Sequence, residues 1–261
     1  LSMGIDRELI NQVLYFGLAV PSQNTVLPAS GMFDPSFRER WAQYDPAAAN
    51  ALLDELGLTG RDRQGTRLLP DGRPMHLIVE TAGESDEQTD TLELIGFAWE
   101  SLGIKTFVKP RQRDVVRGRI SSGETLMSVW TGLSKAVATP GTEPEELAPH
   151  HRFNPQWPKW GAYEQSDGNA GEATDLPEVR GLLDLLARWN LSVDRDERQA
   201  IWREMLEIHA DQVFTLGTVS GVPQPIVVSK ELVNLPSTGI YAWYPGANFG
   251  MYGMDGIWFD N

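Results

Sequence analysis

Residues 75–132 switch repeatedly between the period of a strand and the period of a helix, which leaves few folds open. "MHLIVET" (75–81) is a strand by its apolar, β-branched content and follows the turn "PDGRP" (70–74). "DTLELIGFAWESLGI" (90–104) sets Leu92, Ile95, Trp99 and Leu102 at helical spacing and stops at Gly103. "IKTFVK" (104–109) is strand again. "RDVVRGRISSGE" (113–124) is a weakly amphipathic helix with a glycine near its end, and "LMSVWTG" (126–132) is a third strand. The order β-α-β-α-β predicts parallel strands joined by right-handed crossovers.

Outside this block the signals are local. In "YDPAAANALLDELGL" (44–58), Asp45 can cap a helix, Pro46 suits its first position and Gly57 can end it. Leu52, Leu53 and Leu56 fall at helical spacing. Residues 133–177 have no period and are rich in Pro, Gly, Trp and Glu, which predicts a long functional or mobile loop. Helices are expected at 176–190 and 194–212, with Ile201, Met205 and Ile208 on one face. Strands are expected at 213–221 and 225–232. From residue 233 the chain is Gly- and aromatic-rich.

Composition removes several classes of function. The 261 residues are 41% apolar and 22% charged, as in a globular chain with a real core. The formal charge of -14 repels phosphate backbones and anionic lipid, so neither nucleic acid nor a membrane surface is an expected partner. No apolar run nears the roughly 20 residues of a membrane span. With no cysteine there is neither a disulfide nor a thiolate nucleophile. Phosphate-cradling, G-x-S-x-G and H-E-x-x-H patterns are absent, and "GMYGMDG" (250–256) has the wrong spacing for a dinucleotide loop. His150 and His151 are adjacent and poorly placed to share one metal. Glu143, Glu145 and Glu146 are expected to form a solvated acidic loop, and the "NLS" at 190–192 is a sequon in form only. No metal and no cofactor is expected. The chain starts at Leu1 with no basic-then-apolar leader, so a signal peptide is expected to be missing from this sequence.

Several segments in order resemble the extracellular solute-binding proteins of family 5, the oligopeptide-, dipeptide- and nickel-binding type that serve ABC importers. They are "LSMGIDRELINQVLYFGLAVPSQNTVLP" (1–28), residues 44–58, "PDGRPMHLIVET" (70–81), residues 95–132 and "IWREMLEIHADQVFTLGTVSGVPQPIVVSKEL" (201–232). The match is poor only in 133–175. The resemblance implies an α/β fold, namely a periplasmic-binding-protein-like (type II) lobe whose mixed, largely parallel sheet is flanked by helices. It implies that this chain corresponds to the C-terminal half of a two-lobed protein. Residues 1–216 would form the second lobe, with Leu52 and Leu56 in its core. Residues 217–261 would be a return segment of the first lobe, its Trp243, Tyr244, Phe249, Tyr252, Trp258 and Phe259 packing on partners outside this sequence. The implied role is extracytoplasmic: a non-catalytic, periplasmic or membrane-tethered binder that clamps oligopeptides or oligosaccharides between lobes and delivers them to ABC permease subunits.

Ligands of parallel α/β sheets bind beyond the carboxyl ends of the strands, here 81–83 and 130–132. Trp130, Thr131 and Gly132 are candidate ligand contacts, with Gly132 letting backbone approach the ligand. The resemblance implies an acidic residue just after the aromatic in peptide binders, and "WTGLSK" (130–135) has none. Phe153, Trp157 and Trp160 could stack on sugar rings or line side-chain pockets. Two alternatives stay open. One is a carboxylate-dependent hydrolase using residues 143–146; the other is a sensor that presents ligand to a signalling receptor.

Overall fold

The computed structural model describes residues 1–240, 242–244 and 252–260. A three-stranded parallel sheet lies at its centre, in the order β3-β2-β4. Strand β2 (His76–Thr81) pairs along its whole length with β3 (Lys105–Pro110) and at Val79 and Glu80 with β4 (Met127–Ser128). The crossovers are α4 (Asp86–Glu100) and α5 (Arg113–Ser121). Helix α4 begins four residues earlier than its apolar period suggests. Ser85 caps it by accepting the Gln88 N–H, and the first turn is polar and acidic, as a helix N-terminus favours.

The third strand is much shorter than the expected 126–132. It is an edge strand, and the N–H groups beyond it go to other acceptors. Asn24 Oδ1 takes the Leu133 N–H at 2.9 Å, and Glu146 takes those of Ser134 and Lys135. The chain therefore peels away from the sheet after Ser128.

Helix α1 (Arg7–Tyr15), α3 (Pro46–Glu55) and α4 enclose one core with the sheet, with Ile5, Ile10, Leu53, Trp99, Leu102 and Ile104 among its buried members; the short α2 (Pro35–Glu39) comes between α1 and α3 in the chain. In α3, Asp45 accepts the Ala48 N–H at 2.9 Å, Pro46 opens the helix and Gly57 takes φ 82° beyond its end. The expectation that Leu52 and Leu56 are core residues is not met. They are 43% and 74% exposed, while Ala49 and Leu53 make the buried face. Three leucines at helical spacing do not say which side meets the sheet. Asp45→Ala is expected to cost about 1 kcal/mol in urea unfolding, the usual value of a carboxylate N-cap.

A second core forms between two expected helices and the aperiodic segment 133–177. Helices α7 (Pro177–Leu191) and α8 (Arg195–Gln212) pack on each other and on Val26, Met32, Leu147, Ala148 and Trp157. Ile201 and Met205 of α8 are fully buried and Ile208 packs beside them. Residues 133–177 are thus largely wall rather than loose loop. They contain a 3-10 turn (Glu145–Leu147) and α6 (Pro158–Gln165), and Trp202 Nε1 donates to Thr142 O at 2.7 Å. The signal was missed because the burying residues are scattered singly and make no stripe.

The strands expected at 213–221 and 225–232 shrink to β5 (Val219–Ser220) and β6 (Leu232–Val233). β5 pairs antiparallel with β1 (Val20–Pro21), and β6 with β7 (Trp258–Phe259). Between them the chain runs exposed, with Val227 at 96%. Of the tail aromatics, Trp243, Tyr244, Trp258 and Phe259 are more than half exposed; Phe249 lies outside the described residues. Among the described residues no helix is long and apolar enough to cross a membrane.

Candidate ligand-binding cleft

The six candidate contacts come together on one broad cleft of about 2580 Å³ that takes in the carboxyl end of β4, whereas residues 81–83 at the end of β2 do not line it. Trp130, Thr131, Gly132, Phe153, Trp157 and Trp160 all line it. Trp130 stands where the chain leaves β4 and is half exposed, with the Arg117 guanidinium 5.9 Å from its ring centre. Phe153 is exposed and carries His151 and Arg152 against its ring. Trp160 stacks on Trp157 with centroids 6.2 Å apart.

Trp157 differs from expectation. It is only 4% exposed, and Phe214 and His209 meet it edge-on. Burial there lowers His209 to about 4, so the imidazole is neutral at pH 7, with Nε2 2.8 Å from Leu147 O. Trp157 therefore anchors the wall and supports Trp160 from behind. Gly132 also serves the packing of the wall. A Cβ there would stand 3.1 Å from Asn24 Oδ1, so the glycine makes room for the side chain that holds this segment. Asn24 also donates to Thr215 Oγ1 at 3.1 Å, joining three distant segments. Its only trace in the sequence is a polar residue in "PSQNTVLP" (21–28).

The acidic residues are tied into the framework rather than free in solvent. Both Glu146 oxygens accept backbone N–H groups. Glu145 holds Lys135 Nζ at 2.7 Å, and Lys135 also donates to Glu143 O. Burial pushes the Glu145 carboxyl up, but Lys135 and Glu143 outweigh it and hold the group below the usual range. Glu143, which donates a hydrogen bond to the Glu145 carboxylate, is raised by that bond and by burial. At another point of the cleft Glu87 accepts the Tyr15 hydroxyl at 2.5 Å, and burial and that carboxylate lift Tyr15 well above the phenol range.

Behind the cleft, the buried Glu80 of β2 takes Arg119 Nε on both oxygens at 3.0 and 2.8 Å, and Thr125 Oγ1 at 3.2 Å. Arg119 outweighs burial and keeps the carboxyl below its ordinary value. A depressed carboxyl stabilises the fold above its unfolded pKa, and that stability is lost as pH falls through the folded value. Glu80→Gln is expected to cost about 3 kcal/mol at pH 7, with the deficit shrinking below about pH 4. Urea titrations at both pH values measure it; an equal deficit at each would remove the charge from the explanation.

The sequence profile of "Bacterial extracellular solute-binding proteins, family 5 Middle" matches residues 1–142. The chain belongs to that family. The periplasmic alpha-galactoside-binding protein of Rhizobium meliloti (strain 1021) is 21% identical over 253 residues, 90% of this chain and 33% of that protein. The chain thus spans about a third of the length of that curated relative. The structure of the oligopeptide-binding protein OppA is 28% identical with a TM-score of 0.72, over 84% of this chain and 36% of OppA. The periplasmic binding protein MelB of Agrobacterium fabrum C58, solved with stachyose, shares the fold. Its identity is 16% and its TM-score 0.67, over 84% of this chain and 32% of its own.

Proposed function

We propose that this chain is the second lobe, with a return segment, of the extracytoplasmic substrate-binding component of an ABC importer. It takes up oligopeptides or oligosaccharides by clamping them between two lobes and performs no chemistry on them. Residues 1–216 are the lobe, and 217–261 return toward the other. Its partners are the small-molecule ligand and the importer's permease subunits, and its place is the periplasm or an equivalent extracytoplasmic site. The observation that carries this reading is the half-exposed Trp130 at the carboxyl end of a parallel sheet, facing an open cleft, in a chain of family 5. The length of the relatives supports the two-lobed form. Trp130, Thr131, Gly132, Phe153 and Trp160 contact the ligand, while Trp157 acts from behind.

Trp130→Ala removes an aromatic face whose stacking is worth about 1 kcal/mol beyond its area. Ligand affinity of the protein in its full natural length is expected to fall roughly tenfold, read by calorimetry, with little change in melting temperature. Unchanged affinity in Trp130→Ala and in Trp160→Ala would place the ligand elsewhere.

A further inference from the structure

We infer that the ligand of this cleft is an uncharged oligosaccharide rather than a peptide, an inference that rests on the cleft reading above. A peptide with free ends brings an ammonium and a carboxylate into an enclosed site. Each loses water there and needs an opposite charge in return. Among the described residues that line the cleft, one lysine and no arginine is present, and that lysine is already spent: Lys159 Nζ lies 2.6 Å from Glu172. The four lining carboxylates are spent as well. Glu172 holds Lys159, Glu145 holds Lys135, Glu146 caps two backbone N–H groups, and Glu87 holds the Tyr15 hydroxyl. Apart from the imidazoles of His150 and His151, the described lining therefore holds no unpaired basic side chain for a carboxylate; Arg117 and Arg152 lie over the rings of Trp130 and Phe153 without lining the cleft, and the formal charge of -14 repels anions at long range.

What the wall does offer is neutral. Trp130, Phe153 and Trp160 present aromatic surface suited to the apolar C–H face of a pyranose. Asn154 and Gln156 stand beside these rings. Each donates its amide N–H to Glu146 O, at 3.3 Å in both cases. Their amide oxygens are thereby fixed in place and accept no hydrogen bond among the described residues, so they can take hydroxyl donors. Rings, oriented amide oxygens and satisfied charges together make a surface that recognises many uncharged hydroxyls.

Calorimetry on the protein in its full natural length tests this with three probes: stachyose, a trigalacturonate carrying ring carboxylates, and a pentapeptide with free ends. Stachyose is expected to bind at least about tenfold more tightly than either charged probe, and to weaken about tenfold in Trp130→Ala. A pentapeptide that binds more tightly than stachyose and is weakened by Trp130→Ala overturns the sugar inference and leaves the cleft reading standing. Binding of any probe that is indifferent to both Trp130→Ala and Trp160→Ala overturns the cleft reading instead. Trigalacturonate equal to stachyose, or no binding by stachyose, also overturns the inference.

Discussion

The 261-residue chain alone is expected to bind its ligand at millimolar strength or weaker, at least about a thousandfold below a form in which an opposing lobe closes the cleft. Pockets that hold small molecules bury most of the ligand surface. The cleft here is open, with Trp130 half exposed and Phe153 64% exposed. A single wall contributes about half the contact of a two-sided site. Half of the roughly 8 kcal/mol of a micromolar binder corresponds to millimolar affinity, and loss of closure leaves water on the polar contacts as well. Titration calorimetry on the chain alone and on a form carrying the opposing lobe decides the matter. Equal affinities would mean that this chain is a self-sufficient binding module and that no clamp operates.

Arg7→Ala is expected to destabilise the chain by about 4 kcal/mol, a large part of the stability of a domain this size. Arg7 is 2% exposed and has no carboxylate at ion-pair distance among the described residues. Its guanidinium instead donates to Gly217 O at 2.9 Å, to Ser2 O and Ala42 O at 3.0 Å, and to Ser2 Oγ at 2.8 Å. Burial lowers it to about 10, which still leaves it charged at neutral pH. One side chain therefore ties the N-terminal turn, the approach to α3 and the segment before β5. Its loss strands several buried acceptors at once, each worth about 1–3 kcal/mol before relaxation. Arg7→Lys keeps the charge but not the planar fork, so it should recover less than half of the loss. Urea unfolding of both variants gives the numbers; a full rescue by lysine would assign the effect to charge alone.

Arg7 also marks the limit of reading a sequence. Nothing around "GIDRELI" (4–10) sets that arginine apart from an ordinary first-turn cation on an amphipathic helix. Its acceptors include Gly217, 210 residues away. The same holds for Arg67, 1% exposed and bonded to Leu102 O and Asp54, which looks on paper like one more loop charge. In the cleft, the aromatic candidates were legible because ring-rich segments at strand ends are rare. The division between the exposed Trp130 and the enclosed Trp157 was not, because it depends on Phe214 and His209, both more than fifty residues along the chain.

What the sequence alone determined is what residues three or four apart can settle. Asp45 caps its helix, Gly57 ends α3, and the alternation of periods in 75–132 yields parallel strands with helical crossovers. These rest on backbone hydrogen bonds and φ preferences that each segment carries with it. Only the tertiary structure decided which face of α3 turns inward, how soon β4 leaves the sheet, and that the aperiodic 133–177 becomes the wall of a second core. Each of these turns on a competition for one buried surface or one N–H between segments far apart, as when Asn24 takes the Leu133 amide across 109 residues. No local pattern records the winner.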